Sequence, residues 1–323
     1  MNDVEFLILS NTYDFSTDLV CYELEQRRKS YLRLNRDRFS EYKMLFSLDD
    51  SELIAEVSTQ KYHISAKNLR AIYFRAPVFL RGTGKPYTLE EQLYRNQWSS
   101  FIRNLVVFDK AIWINHPVAT YLAENKLYQL KIAREVGLPI PMSYVGNTLP
   151  CTIDSNAEYI VKSLDAALFY DQGQEMFTYS SVVSGEYLGQ AEIQYAPIIL
   201  QECLKDKTDL RVTVIGKKLF PTAITCGGTN IEGDWRKHER KCLTYTNVSL
   251  PNDVQRSILN LMSKLNLCFG GVDLAIKNGK YYFIEVNPTG EWGWLTQVAS
   301  LPIEKEIVDH MTALEAHNGE QIL

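Results

Sequence analysis

Residues 270 to 290 read GGVDLAIKNGKYYFIEVNPTG, and this stretch decides the fold of the region around it. Two runs rich in apolar and β-branched side chains flank the dipeptide Asn278-Gly279. Such a pattern is typical of a β-hairpin. Side chains alternate between the two faces of a strand, so the length of the turn determines which of them share a face.

The turn leaves two arrangements of the acidic side chains open. With a two-residue loop, Asp273 pairs with Ile284, and Glu285 lies on the other face. With a three-residue loop, Asp273 lies opposite Glu285, and Asn287 shares that face. Two carboxylates and an amide oxygen then converge, which suits Mg²⁺ with substrate phosphates and water as its other ligands. The alternative is a surface hairpin with two solvated acids.

The composition is that of an ordinary globular protein with room for two or three domains. The chain has 323 residues, 46% hydrophobic and 23% charged, and a net charge of -5. It has no Lys/Arg stripe, no apolar run near the roughly 18 residues of a membrane span, and no basic signal-peptide start. Its six scattered cysteines indicate buried free thiols. We therefore expect a cytoplasmic protein without nucleic-acid or membrane partners.

The pattern of apolar residues predicts an N-terminal domain, after which a new unit begins at His116-Pro117. Residues 1–114 form an α/β domain that opens with a βαβ unit, in which a helix at 17–28 joins strands at 6–10 and 31–34. The turn after the first strand has no Gly-x-Gly, so it is a poor dinucleotide site.

Two lysines are candidates for phosphate binding. Lys126 lies near the start of a predicted helix at 123–136, and Lys162 closes an apolar strand at 159–162. An ammonium group at either place acts as a point charge toward a phosphate. The alternative for each is a lysine that extends its charged end to solvent.

A buried strand at 198–203 ends in residues that suit a nucleotide base. The carboxylate of Glu202 is a candidate partner for the exocyclic amine of adenine, and the backbone that follows is a candidate for the ring edge. Asp209 is a candidate for the ribose hydroxyls, and a solvated acid at a strand end is the alternative. The candidate residues of this group are Gln201, Glu202, Cys203, Leu204 and Asp209.

Two arginines are candidates for binding a further anion. Arg211 lies on a predicted strand, where an unpaired cation would be costly, so we expect it to face a phosphate or a substrate carboxylate. Arg236 lies in a polar, mobile loop predicted at 226–241, and its planar guanidinium matches a carboxylate. A surface arginine is the alternative there. Asp234 and His238 are nearby candidates for a general base.

The order of these features resembles the ATP-grasp superfamily over about residues 115 to 290. The resemblance implies an α/β (α+β) class and a three-domain ATP-grasp fold with an N-terminal βαβ pre-ATP-grasp domain. In this division residues 1–114 are the pre-ATP-grasp domain, residues 115–197 the central subdomain, and residues 198–323 the C-terminal subdomain that contains the hairpin. The resemblance also implies that ATP lies between two domains. The features are, in order, the lysine before Leu138-Pro139-Ile140-Pro141, the lysine at a strand end, Gln201-Glu202, Asp209-Leu210-Arg211-Val212, and Asp273 with Glu285-Val286-Asn287.

Other motifs resemble the microviridin-type ligases, or graspetide synthetases. These are Trp113-Ile114-Asn115-His116-Pro117, Asp234-Trp235-Arg236, the run from Glu285 to Trp292, and Leu301-Pro302-Ile303. The resemblance implies a homodimeric ligase that uses ATP and Mg²⁺ to join Asp or Glu side chains of a ribosomal precursor peptide to Thr, Ser or Lys. The products are esters or amides.

The site implied by this resemblance has three parts. The metal ligands are Asp273, Glu285 and Asn287; the catalytic arginines are Arg211 and Arg236; and the ATP-binding residues include Lys126, Lys162, Arg211 and Asn287. The segment after Lys162 departs from the Gly-rich phosphate cover of many ATP-grasp ligases. It reads SLDAALF at 163–169, and Gly173 is its first glycine.

We expect the leader of the precursor peptide to bind apart from the chemistry, at a strand-rich segment 177–196. Glu186 and Glu192 would pair with leader arginines, and neighbouring Val, Tyr and Leu side chains would form a groove. An ordinary hairpin is the alternative. Two other functions are also open: a RimK-like ATP-grasp ligase that adds amino acids to a peptide or protein terminus, and a non-catalytic peptide-binding protein with this fold.

Overall fold

A computed structural model describes residues 1–75, 87–164, 168–171, 174–177 and 179–313. The chain divides into two compact units. The first comprises Met1–Thr120, Leu267–Phe269 and Thr289–Leu323, and the second comprises Tyr121–Asn266 and Gly270–Pro288. The three-domain division at 1–114, 115–197 and 198–323 stays a prediction.

The described residues form helices and strands, and several runs of strands follow one another without an α-helix between them. The helices are α1 (Phe15–Gln26), α2 (Leu89–Asn104), α3 (Pro117–Ala123), α4 (Lys126–Glu135), α5 (Gly185–Gln190), α6 (Asn252–Lys264), α7 (Gly293–Val298) and α8 (Ile303–Ala313). The strands are β1 (Asn2–Asp3), β2 (Phe6–Ser10), β3 (Tyr31–Asn35), β4 (Tyr42–Ser47), β5 (Glu52–Val57), β6 (Gln60–Ser65), β7 (Ala71–Phe74), β8 (Ile112–Ile114), β9 (Ser143–Gly146), β10 (Glu158–Lys162), β11 (Leu168–Asp171), β12 (Gln174–Phe177), β13 (Ser181–Ser184), β14 (Ile198–Glu202), β15 (Thr208–Ile215), β16 (Lys218–Cys226), β17 (Leu243–Asn247), β18 (Phe269–Lys277) and β19 (Lys280–Asn287).

The first unit is built on two four-stranded sheets, with the orders β1-β6-β5-β4 and β3-β2-β7-β8. In the second of these, β2 pairs in parallel with β3 and β7, and β7 pairs in parallel with β8. All five residues of β2 are buried, as expected for the centre of a parallel sheet. Asp14 caps α1 by accepting a hydrogen bond from the Thr17 N–H at 3.2 Å. The predicted βαβ opening is confirmed.

Arg75, at the end of β7, is the buried cation of the first unit. Its side chain is 2% exposed, and it lies 3.2 Å from the Asp14 carboxylate and 2.5 Å from that of Glu291. Its Nη1 group donates to the carbonyl oxygens of Thr289 and Gly290. These contacts hold the segment after β19 against the parallel sheet, so the C-terminal residues belong structurally with the N-terminal ones.

We expect Arg75→Met to destabilise the first unit by about 3 kcal/mol, because Asp14 would be left buried without its cation. Urea unfolding followed by circular dichroism measures the change. Arg38→Met is the control, since Arg38 pairs with Glu41 at the exposed surface, and we expect it to leave the unfolding midpoint unchanged. Equal midpoints for the two variants would contradict the prediction.

The second unit contains a four-stranded antiparallel sheet of order β13-β10-β14-β9, the hairpin β11-β12, and a five-stranded sheet of order β17-β16-β15-β18-β19. Helix α4 packs against β19 and also against α6. The four-stranded sheet has its own small core of Tyr159, Leu188 and Leu200.

The turn of the β18–β19 hairpin is the two-residue loop. Lys277 pairs with Lys280, and Asn278 and Gly279 between them have φ of 50° and 73°. Positive φ at both central residues is the geometry of a type I′ turn, which Asn-Gly favours. The three-residue loop considered above is therefore wrong.

The register of this hairpin nevertheless brings the two acids together. Leu274 pairs with Phe283, but the register then shifts, and Asp273 pairs with Glu285. Ile284 is thus an extra residue in β19, as in a β-bulge. The expected opposition of Asp273 and Glu285 is confirmed, and the bulge produces it.

Two smaller expectations need correction. The helix predicted at 123–136 is α4, but it begins three residues later than predicted, since Ala123 is the last residue of α3 and Lys126 is the first of α4. The cysteines are free, but Cys151 and Cys242 are exposed where buried thiols were expected. Among the described residues, no helix is both long and apolar enough to cross a membrane.

Candidate active site

The predicted metal ligands lie together at the end of the β18–β19 hairpin. The Asn287 Nδ2 atom lies 3.2 Å from Asp273 Oδ2 and 3.4 Å from Glu285 Oε1. Turning the amide over would present its oxygen in the same place. No group of three His, Cys, Asp or Glu side chains elsewhere in the described parts of the chain could hold a metal. Two carboxylates and one amide fit a hard cation that keeps water and phosphate ligands.

Arg211 is paired with one of these acids. Its Nη1 atom lies 2.9 Å from both oxygens of Asp273, and its side chain is 8% exposed. Burial raises the pKa of Asp273, and the charge of Arg211 opposes this effect. The sequence predicted that Arg211 faces a phosphate or a substrate carboxylate. In the structure the protein's own Asp273 supplies the anion that a buried guanidinium requires.

The other acid, Glu285, is surrounded by cations. Lys126 Nζ lies 3.2 Å from its Oε2 atom, and Arg236 Nη1 lies 3.8 Å from its Oε1 atom. Burial alone would raise its pKa, but the charges of Lys126, Arg236 and Lys162 lower it to about 2. The carboxylate is therefore ionised at any working pH.

The cations of the site outnumber its acids. Arg211, Lys126, Lys162 and Arg236 act electrostatically on Asp273 and Glu285. The surplus of positive charge suits a polyanionic ligand such as a nucleoside triphosphate.

Lys162, at the end of β10, has a pKa lowered to about 8, because burial disfavours its charged form more than Glu285 favours it. The ammonium is therefore charged below about pH 8 and neutral above it. If Lys162 binds a phosphate, as the sequence predicts, that binding would depend on pH in this range.

We expect the affinity for ADP to fall about tenfold as the pH rises from about 7 to about 9.5, because Lys162 loses the charge that attracts phosphate. Lys162→Arg should flatten this dependence, since a guanidinium stays protonated. Isothermal titration calorimetry with ADP measures both, and Lys205→Arg, at an exposed lysine, is the matched control. A flat profile for the wild type would contradict the prediction.

Arg236 is held by a short turn. Asp234, whose side chain is 4% exposed, accepts hydrogen bonds from Arg236 N at 3.1 Å and from its Nε at 2.9 Å. The guanidinium is half exposed, so it can reach a ligand. The turn itself is a 3-10 helix at Trp235–Lys237. Of the two candidate bases, Asp234 accepts both bonds from Arg236 at Oδ1, while its buried Oδ2 atom accepts none from the described residues; His238 is exposed.

The residues predicted to read a base are engaged within the second unit. Gln201 donates to Ser143 Oγ at 2.9 Å, and a carboxylate oxygen of Glu202 accepts from the Met142 N–H at 3.1 Å. The Cys203 N–H donates to the Glu158 carbonyl at 3.2 Å. Leu204 is buried. Their contacts with a nucleotide stay predictions.

Asp209 is one of the same candidates, and it also has a partner in the fold. Lys207 Nζ lies 2.5 Å from its carboxylate. Burial raises its pKa to about 6 despite this neighbour. Its predicted contact with ribose stays a prediction.

The segment expected to bind a leader is less strand-rich than predicted. Ser184 accepts a hydrogen bond from the Tyr187 N–H at 3.1 Å and so starts helix α5. Leu188 is buried in the core and cannot line a groove. Glu186 and Glu192 are exposed, as a docking role requires. Residue 178, the side chain of residue 177, residues 165–167 of the predicted phosphate cover, and Gly173 lie outside the described residues.

Two residues of the site were not predicted. Gln129 is a buried polar residue one helical turn after Lys126, and that spacing was the available signal. Gly271 lies on the strand two residues before Asp273, and an added Cβ there would lie 2.5 Å from Nη2 of Arg211. It follows that the guanidinium occupies the space over this glycine.

No protein-family model matches the chain, and no curated protein matches it in sequence. Solved structures do match it. Macrocyclase MdnC of Microcystis aeruginosa MRC, bound with precursor peptide MdnA, is 26% identical, with a TM-score of 0.82 over 95% of this chain and 99% of that one. A RiPP-associated ATP-grasp ligase of Chryseobacterium gregarium, in complex with ADP and a leader and core peptide, is 23% identical, with a TM-score of 0.85 over the whole of both chains. The ATP-grasp ligase PsnB, complexed with minimal precursor, Mg and ADP, is 18% identical, with a TM-score of 0.72 over 97% of this chain and 98% of that one.

The chain has the ATP-grasp fold. The resemblance to microviridin-type ligases that its motifs indicated is confirmed by these structural matches.

Proposed function

We propose that this protein is an ADP-forming ligase that activates Asp or Glu side chains of a ribosomal precursor peptide and joins them to Thr or Ser as esters, or to Lys as amides. The observation that supports it most is the acid pair Asp273 and Glu285 on paired strands, within reach of Asn287 and surrounded by four cations. The solved relatives with bound precursor peptides and ADP support a peptide substrate and a nucleotide.

A carboxylate needs activation because its oxygen is a poor leaving group. In the proposed reaction a peptide carboxylate oxygen attacks the terminal phosphorus of ATP, and ADP leaves. The hydroxyl or amine of a second side chain then attacks the acyl carbon, loses its proton, and displaces phosphate. One water is lost from the peptide for each cross-link.

The side chains divide this work. Lys126 and Lys162 bind phosphate oxygens, and the half-exposed Arg236 orients the peptide carboxylate toward them. Arg211 fixes the carboxylate of Asp273. Asp273, Glu285 and Asn287 would hold Mg²⁺, which neutralises charge on the transferred phosphoryl group when bound.

The test is mass spectrometry of a candidate precursor peptide, sought among the reading frames beside the gene, after incubation with the protein, ATP and Mg²⁺. We expect the peptide to lose the mass of one water per cross-link, with release of ADP. A gain in mass equal to an amino-acid residue would instead support the RimK-like alternative. Absence of ADP release would support the non-catalytic alternative. The expected homodimer also stays a prediction, which light scattering tests.

The exposed segment around α5 is the proposed leader site. Glu186 and Glu192 carry its negative charge, and Tyr187 and Tyr195 are 62% and 93% exposed beside them. Exposed aromatic and acidic side chains together suit a leader with basic and apolar residues.

We expect Glu186→Lys with Glu192→Lys to weaken leader binding about tenfold, since like charges would then meet leader arginines. Fluorescence anisotropy of a labelled leader measures the affinity, and ADP affinity serves as the internal control. Unchanged leader affinity would remove this site from the proposal.

A further inference from the structure

Strand β19 lies at the edge of its sheet, and among the described residues no strand pairs with its outer side, where the Phe283 N–H donates to the Pro139 carbonyl at 2.8 Å. At Val286 the side chain of Gln129 bonds to the backbone where a neighbouring strand would otherwise pair. Gln129 Nε2 donates to the Val286 carbonyl at 2.9 Å, and Gln129 Oε1 accepts from the Val286 N–H at 2.9 Å. The two bonds reproduce the exchange that a residue on an antiparallel neighbour would make. Both residues are buried, at 3% and 1% exposed, so these backbone groups have no access to water.

Helix α4 presents Gln129 together with Lys126. The two residues are three positions apart and therefore lie on one face of the helix. Lys126 reaches Glu285 at 3.2 Å, and Gln129 reaches the next residue along the strand. The Gln129 amide is itself fixed, because Nε2 also donates to the Ala123 carbonyl at 2.5 Å.

The backbone of Val286 controls where its two neighbours point. Glu285 and Asn287 flank it, and side chains alternate along a strand, so both project from the face opposite to that of Val286. Holding the N–H and the C=O of Val286 fixes the two peptide planes from which they extend. The bulge at Ile284 interrupts the ladder just before them, so pairing with β18 alone gives a less regular support.

We propose that Gln129 is a positioning residue that holds β19 so that Glu285 and Asn287 meet Asp273, and that its amide thereby sets the affinity for a metal–nucleotide complex. This inference rests on the proposed function, since it takes these three residues as the ligands of a divalent ion. In this proposal Gln129 does not bind the metal or the nucleotide itself; it affects their binding by holding the backbone of β19.

The test is Gln129→Met, which keeps the length of the side chain and removes both bonds to Val286. Electron paramagnetic resonance with Mn²⁺ and ADP measures the bound metal, and calorimetry with ADP alone measures the nucleotide. We expect the affinity for Mn²⁺ in the presence of ADP to fall at least about tenfold. ADP affinity without metal should change less than about twofold, since the lysines remain.

Gln255→Met is the matched control. Gln255, in α6, also donates from Nε2 to a backbone carbonyl, that of Leu250 at 2.8 Å, which lies outside β19. We expect it to lower the thermal midpoint without changing the affinity for Mn²⁺. Gln129→Glu, which keeps the size and one acceptor, replaces Gln129→Met if that variant does not fold.

Three outcomes separate this inference from the proposed function. Unchanged Mn²⁺ affinity in a folded Gln129 variant overturns the inference alone. Equal losses of affinity for Mn²⁺ and for metal-free ADP also overturn it, because they indicate a general structural role. A wild-type protein that binds ADP with no dependence on metal overturns both proposals.

Discussion

Replacing Glu285 by glutamine is expected to lower ADP release with the precursor peptide on the order of 10³-fold. The carboxylate is ionised at working pH and faces Lys126 at 3.2 Å and Arg236 at 3.8 Å. Its neutral isostere keeps the shape of the site but leaves these cations without their counter-charge and removes one carboxylate from the proposed metal site. Steady-state assays at several Mg²⁺ concentrations measure the loss.

The control for this variant is Glu135→Gln. Glu135 lies on α4, pairs with Lys131 and Lys264 on the surface, and does not contact the acid pair. We expect activity within about twofold of wild type, as for most surface pairs. A Glu285→Gln variant that retains more than about a tenth of wild-type activity would remove Glu285 from the metal site.

The second large effect is expected for Gly271→Ala, on the order of a 10²-fold loss of activity. The added methyl group would lie 2.5 Å from Nη2 and 2.7 Å from Nε of Arg211. The guanidinium has to move, and its two 2.9 Å contacts with Asp273 cannot then survive unchanged. One methyl group on a strand would thus misplace a carboxylate it does not touch.

A double-variant cycle identifies the cause. If the methyl group acts through Arg211, then Gly271→Ala should add little to the loss already produced by Arg211→Met. Gly146→Ala is the control, because a Cβ at that strand glycine meets nothing within 4 Å. Multiplicative losses in the double variant would show that Gly271 acts by another route.

The sequence predicted the residue types of this site better than their contacts. The sequence predicted the hairpin, its Asn-Gly turn and the acids at its open end, because strand alternation and turn chemistry depend on residues close in sequence. It did not predict the extra residue at Ile284, since a bulge depends on how neighbouring elements complete the ladder. The correct pairing of Asp273 with Glu285 was therefore expected from the wrong loop.

Contacts between residues that are far apart in the sequence were the other part of the site that could not be predicted. Arg211 was recognised as needing an anion, but Asp273 lies 62 positions away, and the pairing depends on how β15 and β18 are brought together. Gln129 was missed for a similar reason, because its role depends on an edge strand more than 150 positions further along. Polar residues on the apolar face of a helix are the feature that would have indicated it.

The bulge at Ile284 divides the β18–β19 hairpin into two parts that differ in how far their length can change. Toward the turn, pairing is regular from Leu274 with Phe283 to Lys277 with Lys280. Antiparallel pairs alternate between hydrogen-bonded and non-hydrogen-bonded pairs. Adding two residues to each strand there would therefore move the tip outward, keep the kind of pair that closes the turn, and leave the carboxylates facing each other. The tip is thus a place where each strand can lengthen in steps of two, away from the acid pair at the base.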